Sequence, residues 1–179
     1  MRPLGMLGIA AAALTLVGCA TRMVSSHVEL GADFTQYRTY AWGPVDAFPV
    51  GDPRLDNNEI FRDYFQGAVE KAMATRHVAL TSTSPDLLIH VHSSIGREVD
   101  LDAIEREYPN CQGRTCRPPI VEYEVGTLMI DVVDARTNKM IWRAWSRENV
   151  SGVIDDQERL RRVVVDCVAA MMKRFPKPL

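Results

Sequence analysis

Apolar and polar residues alternate along Asp86–Ile95, with Leu87, Ile89 and Val91 on one side and His90 and His92 on the other. A strand turns successive side chains to opposite faces, so this pattern predicts a half-buried strand. The alternation returns in Tyr123–Val133, where Leu128, Ile130 and Val132 turn inward and Thr127, Met129 and Asp131 outward, and again in Met140–Asn149. Between the last two, Asp134–Lys139 is hairpin chemistry, with Asn138 suited to a left-handed conformation. Two stretches change to a helical period. Phe61, Tyr64, Phe65, Ala68, Ala72 and Met73 recur at helical spacing behind Asp56-Asn57-Asn58-Glu59, where Asp56 serves as cap and Glu59 completes a capping box, predicting a helix to about Arg76. Leu160, Val163, Val164, Cys167 and Met171 mark a second helix, capped by Asp155 or Asp156 and stopped at Phe175-Pro176. A strand opens at Val28, Gly31-Ala32-Asp33 is a turn, Arg38–Trp42 is a further strand, and the prolines of residues 43–55 make that stretch a loop. Residues 96–120 hold no sustained period, and so long a connection in a compact domain is functional or disordered.

The order is therefore strand, strand, helix, then three strands and a helix. The expected fold class is α+β: a largely antiparallel sheet of about five strands with two helices packed on one face. The other face of the sheet stays open.

A different pattern occupies the N-terminus. Leu4–Val17 is an apolar run too short to span a bilayer, preceded only by Met1 and Arg2 among its flanks that carry charge or start the chain, and it ends in Leu16-Val17-Gly18-Cys19. The ending is similar to the lipobox of bacterial lipoproteins, which implies removal of residues 1–18 as a signal peptide and acylation of Cys19, the one thiol in the segment able to take up a diacylglycerol group. Residues 19–27 are then a lipidated tether and 28–179 a single domain. Ala20 after the cysteine resembles the outer-membrane sorting pattern, so the expected address is the outer membrane, lipid-anchored and facing the periplasm.

Composition narrows the function classes. Lys and Arg number 21 against 23 Asp and Glu, a net charge of −2, and the leader removes one base, Arg2, and no acid. That balance argues against nucleic acid as a partner. Of the four cysteines, Cys111 and Cys116 lie close together in a polar loop and are expected to form a disulfide in an oxidising compartment, which shapes the loop more than it holds the fold, since closing so small a ring is worth about 2 kcal/mol. Cys167 lies on the apolar stripe of the last helix, as a buried structural thiol does.

Candidate chemistry gathers on the open sheet face. With Trp142 and Ala144 turned to the core, period two places Ile141, Arg143, Trp145 and Arg147 outward beside His90, His92 and Asp131. Arg143, Trp145 and Arg147, with Arg114 from the cysteine loop, are candidate partner-binding residues, because Trp and Arg are enriched at interface hot spots. In the plainer reading Trp145 packs under the long loop and the arginines pair with nearby acids. His90, His92 and Asp131 also have the spacing of a metal site on a sheet. The chain has no G-x-S-x-G elbow, no Gly-rich phosphate loop and no H-E-x-x-H, and no cofactor is called for.

Asp33-Phe34 with Tyr37, Tyr40-Ala41-Trp42, Pro85-Asp86-Leu87, Gly126-Thr127-Leu128 through Asp131 and Asp134, and Ile141-Trp142-Arg143 together resemble the bacterial lipoprotein family catalogued as domain of unknown function 4136. The likeness runs from about Val28 to the C-terminus. It implies an envelope lipoprotein with a small α/β domain and carries no catalytic residues with it. Asn138 stands where the family pattern has a hairpin glycine, and the Cys111–Cys116 loop is an elaboration. Two functional readings follow: a non-enzymatic module that binds or helps assemble an envelope protein partner, or a metal-binding, hydrolase-like periplasmic enzyme using His90, His92 and Asp131.

Overall fold

The structure, a computed structural model, describes residues 23–44, 52–55, 58–111 and 116–176. Its long axis is set by two strands, β4 (Leu87–Val99) and β5 (Glu122–Asp134), which pair antiparallel over their whole lengths. The remaining strands are β1 (Met23–Val28), β2 (Thr39–Trp42), β3 (Ala79–Leu80) and β6 (Lys139–Asn149). They form one mixed sheet in the order β1-β6-β5-β4-β2-β3, in which β2 runs parallel to both β3 and β4.

The α+β class is as expected, with a broader sheet. Six strands replace five because the two residues of β3 add an edge beside β2, while the expected first strand forms the other edge, paired with β6. β1 ends at Val28 instead of starting there, so residues 23–27, read from sequence as tether, belong to the sheet. The alternation of Met23–Val28 is weak because an edge strand has few neighbours to demand it. Residues 96–120 are not wholly loop. β4 continues to Val99, and α2 (Leu101–Glu107) follows, capped by the Asp100 carboxylate, which accepts the Ala103 N–H.

Helices α1 (Glu59–Ala74) and α3 (Gln157–Met172) pack on one face. Asn58, not Asp56, caps α1 by accepting the Phe61 N–H, and Asp56 lies outside the described residues; Asp156 caps α3. Phe61, Phe65, Val69 and Met73 from α1 and Leu160, Val164, Val168 and Met171 from α3 meet the inward rows Leu87-Ile89-Val91, Leu128-Ile130-Val132 and Trp142-Ala144. A register shift between Val132 and Val133 absorbs one residue of β6. It explains Ile141, expected on the open face: Ile141 is buried and joins the core beside Trp142, while Trp142 and all residues after it keep their expected sides. Asn138 takes the left-handed conformation, at φ 54°.

Two carboxylates position β2 and the hairpin. Asp86 accepts hydrogen bonds from the Arg38 and Thr39 amides and the Thr39 hydroxyl at 2.8–2.9 Å, fixing β2 parallel to β4. Buried Asp134 accepts from the Tyr37 hydroxyl at 2.8 Å and from the amides of Arg136 and Thr137, tying the β5–β6 turn to the segment before β2. The Arg38 amide leads in holding the Asp86 carboxyl below its usual range. For Asp134, burial pushes upward, but the donors from Thr137, Tyr37 and Arg136 outweigh it and the net shift is down. Burial and the adjacent Asp134 carboxylate push the Tyr37 phenol up to about 12.

Carboxyls whose pKa falls on folding contribute stability that is present above about pH 4 and lost as pH drops through the folded values. Urea midpoints measured down the acid range should therefore fall in the native protein, and the fall should be shallower in Asp86→Asn and Asp134→Asn; an unchanged slope in both variants would exclude this role. Trp142 is fully buried, yet no acceptor among the described residues meets its indole N–H. Trp142→Ala should cost about 3–5 kcal/mol in denaturant unfolding, whereas Trp142→Phe, which removes the unsatisfied donor, should cost well under half of that.

Candidate functional site

The open face of the sheet is built in cross-strand rows. His90 of β4, Asp131 of β5, Arg143 of β6 and His27 of β1 stand side by side; the next row is His92, Met129, Trp145 and Ser25; the next is Ser94, Thr127, Arg147 and Met23. The antiparallel register brings together residues distant in sequence, since directly opposed side chains are the closest neighbours on a sheet.

The first row holds an ion pair. Arg143 Nε donates to Asp131 Oδ1 at 2.6 Å and Nη2 to Oδ2 at 2.5 Å, a two-pronged geometry that saturates both carboxylate oxygens. Under this cover Asp131 is only 6% exposed although it faces away from the helices. The Asp131 hydrogen bond raises the Arg143 pKa. His92 Nε2 lies 3.4 Å from Asp131 Oδ2. His90 is pushed toward its neutral form, first by burial and also by His92, against the opposing pull of Asp131.

Gly43 explains the burial of His90. Its amide donates to the Ile89 carbonyl at 2.8 Å, and a Cβ there would stand 2.5 Å from the His90 ring. The backbone beyond β2 thus forms one wall of the imidazole's seat, and any side chain at position 43 would force the ring to shift. Further along the face Arg147 pairs with Glu98, and the Tyr123 hydroxyl donates to the same Glu98 carboxylate at 3.1 Å. Met23, Val125 and Asn149 join these three residues around a shallow groove of about 280 Å³.

The structure brings together Arg143, Trp145, Arg147, His90, His92 and Asp131, all on the open face and all half-buried except Asp131, which is buried. It does not assemble the last three as a metal centre. The Arg143 guanidinium occupies the carboxylate that a cation would need, and among the described residues no group of three His, Cys, Asp or Glu forms a metal-ligand set. Cys111 and Cys116 form the expected disulfide, with Cα atoms 5.3 Å apart. Arg114 and Cys19 lie outside the described residues. Gly43 and His27 were not singled out from sequence. A glycine beside a proline at a strand end marks close backbone approach, and Glu98 was legible only once β4 was known to continue past Ile95.

A cavity of about 50 Å³ lies on the other side of the sheet, under α1 and α3, lined by apolar side chains with Ser93, Ser146 and Cys167. The Ser146 hydroxyl contacts the Cys167 sulfur at 3.4 Å. The space suits about one or two waters, far below the roughly 300 Å³ of a small-molecule site.

The comparison with known families matches residues 24–177 to the domain of unknown function DUF4136. The chain belongs to the DUF4136 family. No curated protein matches it. Among solved structures this DUF4136 chain is similar to a PDZ domain protein from Parabacteroides distasonis, at 14% identity and TM-score 0.49, over 87% of this chain and 37% of that one. It thus spans little more than a third of that protein's length. It is also similar to PelC, a dodecamer from Paraburkholderia phytofirmans, at 8% identity and TM-score 0.46 over 84% and 94% of the two chains. A neuraminyllactose-binding hemagglutinin homolog from Helicobacter pylori matches at 10% identity and TM-score 0.46 over 84% and 90%.

The Asp131–Arg143 pair has a measurable signature. Arg143→Ala strands a nearly buried carboxylate and should cost about 1–2 kcal/mol after allowing for the guanidinium's partial exposure, while Asp131→Asn/Arg143→Ala should recover part of that loss in the same denaturation assay. Additive losses would show that the two side chains do not act as a pair.

Proposed function

We propose that this DUF4136 chain is a lipoprotein anchored in the outer membrane and facing the periplasm, a non-enzymatic module that binds or helps assemble another envelope protein through the open sheet face. Its address is supported by Leu16-Val17-Gly18-Cys19 at the end of a short apolar run. Among the described residues no helix is long and apolar enough to cross a membrane.

The observation that carries the binding role is the makeup of the open face. Trp145 and Met129 form an apolar stripe flanked by the Asp131–Arg143 and Glu98–Arg147 ion pairs. An aromatic centre with a charged rim is how protein interfaces are arranged, the centre supplying burial and the rim setting orientation. Ion pairing holds both arginines in place before a partner arrives, so little side-chain freedom is lost on docking. Lipid anchoring also confines the module to one surface, which a scaffold or adaptor needs.

The test has two parts. Mass spectrometry of the protein purified from membranes should find Cys19 as an acylated N-terminus, and Cys19→Ala should release the chain from the outer-membrane fraction. Photo-reactive side chains at Arg143 and Trp145, with Val164 as buried control, should then give one discrete adduct in intact envelopes from the first two positions alone. Correct lipidation without an adduct at either face position would overturn the binding role and leave the address standing.

A further inference from the structure

β4 and β5 overrun the rest of the sheet. Met23 stands level with Arg147, Thr127 and Ser94, whereas β4 and β5 remain paired as far as Val99 and Glu122. β4 runs on for five residues past the Met23 row, about 17 Å at about 3.3 Å per residue; β6 accompanies the first two, to Asn149 opposite Val125, and Arg97–Val99 with their β5 partners stand beyond it as an arm. Its tip carries α2, joined to the returning chain where the Asp100 amide donates to the Val121 carbonyl at 2.7 Å.

The tip is apolar in an unusual way for an exposed segment. Leu101 and Ile120 are 68% and 72% exposed, with Val99 at 44% and Tyr108 at 39%. α2 buries none of its residues, although most helical stability in proteins comes from burying an apolar face. The Asp100–Val121 hydrogen bond joins the residues next to Leu101 and Ile120, so both belong to the tip. Met23, 57% exposed, lies at this same end of the sheet.

The chain length before Met23 says what covers this patch. If Cys19 is the acylated residue, four residue steps separate it from Met23, at most about 14 Å fully extended. The bilayer surface must therefore pass within that distance of the sheet end from which the arm projects farther still.

We propose that the tip of the β4–β5 arm is a second membrane contact, with Leu101 and Ile120 entering the interfacial region of the bilayer that holds the Cys19 acyl chains. This inference rests on the lipoprotein reading above. The contact is apolar insertion and not charge attraction, because α2 carries Asp102, Glu105 and Glu107 against one base, Arg106. Arm and lipid together hold the sheet at two points, which presents the open face to the periplasmic space at a set angle.

The experiment uses the full mature lipidated chain in phosphatidylcholine vesicles whose acyl chains carry bromine, a quencher of indole emission within the hydrocarbon. Leu101→Trp and Ile120→Trp each add an emitter at the tip, and Leu30→Trp adds one at the opposite end of the sheet, where Leu30 is 94% exposed. Emission added at positions 101 and 120 should be blue-shifted and lost in the brominated vesicles, while that at position 30 persists. Adding anionic phosphatidylglycerol should leave the quenching unchanged or reduce it. Acyl mass on Cys19 with emission at 101 and 120 as persistent as at 30 would overturn the arm contact alone; Cys19 without acyl mass would overturn both the anchor and the contact.

Discussion

The unbroken antiparallel pairing of β4 with β5 is the constraint on which the rest of the molecule depends. Thirteen residues of each strand stand in register from Leu87 opposite Asp134 to Val99 opposite Glu122. Because side chains alternate across a strand, that single register assigns every residue of the pair to a face at once. Leu87, Ile89 and Val91, with Val132 and Ile130 opposite the last two, turn toward α1 and α3, while His90, His92, Asp131 and Met129 turn away. A slip of one residue would exchange the two sets and drive Asp131 and both histidines into the core, a cost that no alternative packing offsets.

The outer rows inherit their geometry from that ladder. β6 adds Arg143 beside Asp131, and β1 adds His27 beside Arg143, so four strands distant in sequence contribute to one line of polar side chains. Its ion pair does two things. It satisfies a carboxylate that the sheet surface nearly buries, and it removes that carboxylate from metal chemistry. The same acid and histidines would be ligands in another setting; here a guanidinium with a matching fork reaches both oxygens first.

Asp86 and Asp134, two of the residues that carry the family resemblance, turn out to be staples for the backbone and not parts of a site. Asp86 accepts the amides at the start of β2, and Asp134 holds Tyr37 against the β5–β6 turn. Both solve a problem specific to this topology: β2 is short, parallel to β4 and enters from a turn, so its position cannot rest on a long ladder. Buried or half-buried carboxylates that accept several amide donors supply the missing constraints. Gly43 belongs to the same group, since it lets the chain leaving β2 pass close enough to seat the His90 ring.

By itself the sequence determined what depends on local periodicity and short-range chemistry: the inward rows of β4, β5 and β6, the two long helices, a cap for α3 at Asp155 or Asp156, the left-handed Asn138 and the nearness of Cys111 to Cys116. Those features follow from a strand period of two, a helix period near 3.6 and residues that bond within a few positions of themselves. Tertiary structure alone decided what needs partners from afar. β1 is a strand because β6 offers it an edge, Ile141 is buried because the register shift at Val132 turns it inward, and Asp131 is closed to a metal because β6 delivers Arg143 beside it. The arm past Gly96 was illegible for a related reason: with β1 and the β6 ladder left behind, few neighbours remain to demand alternation.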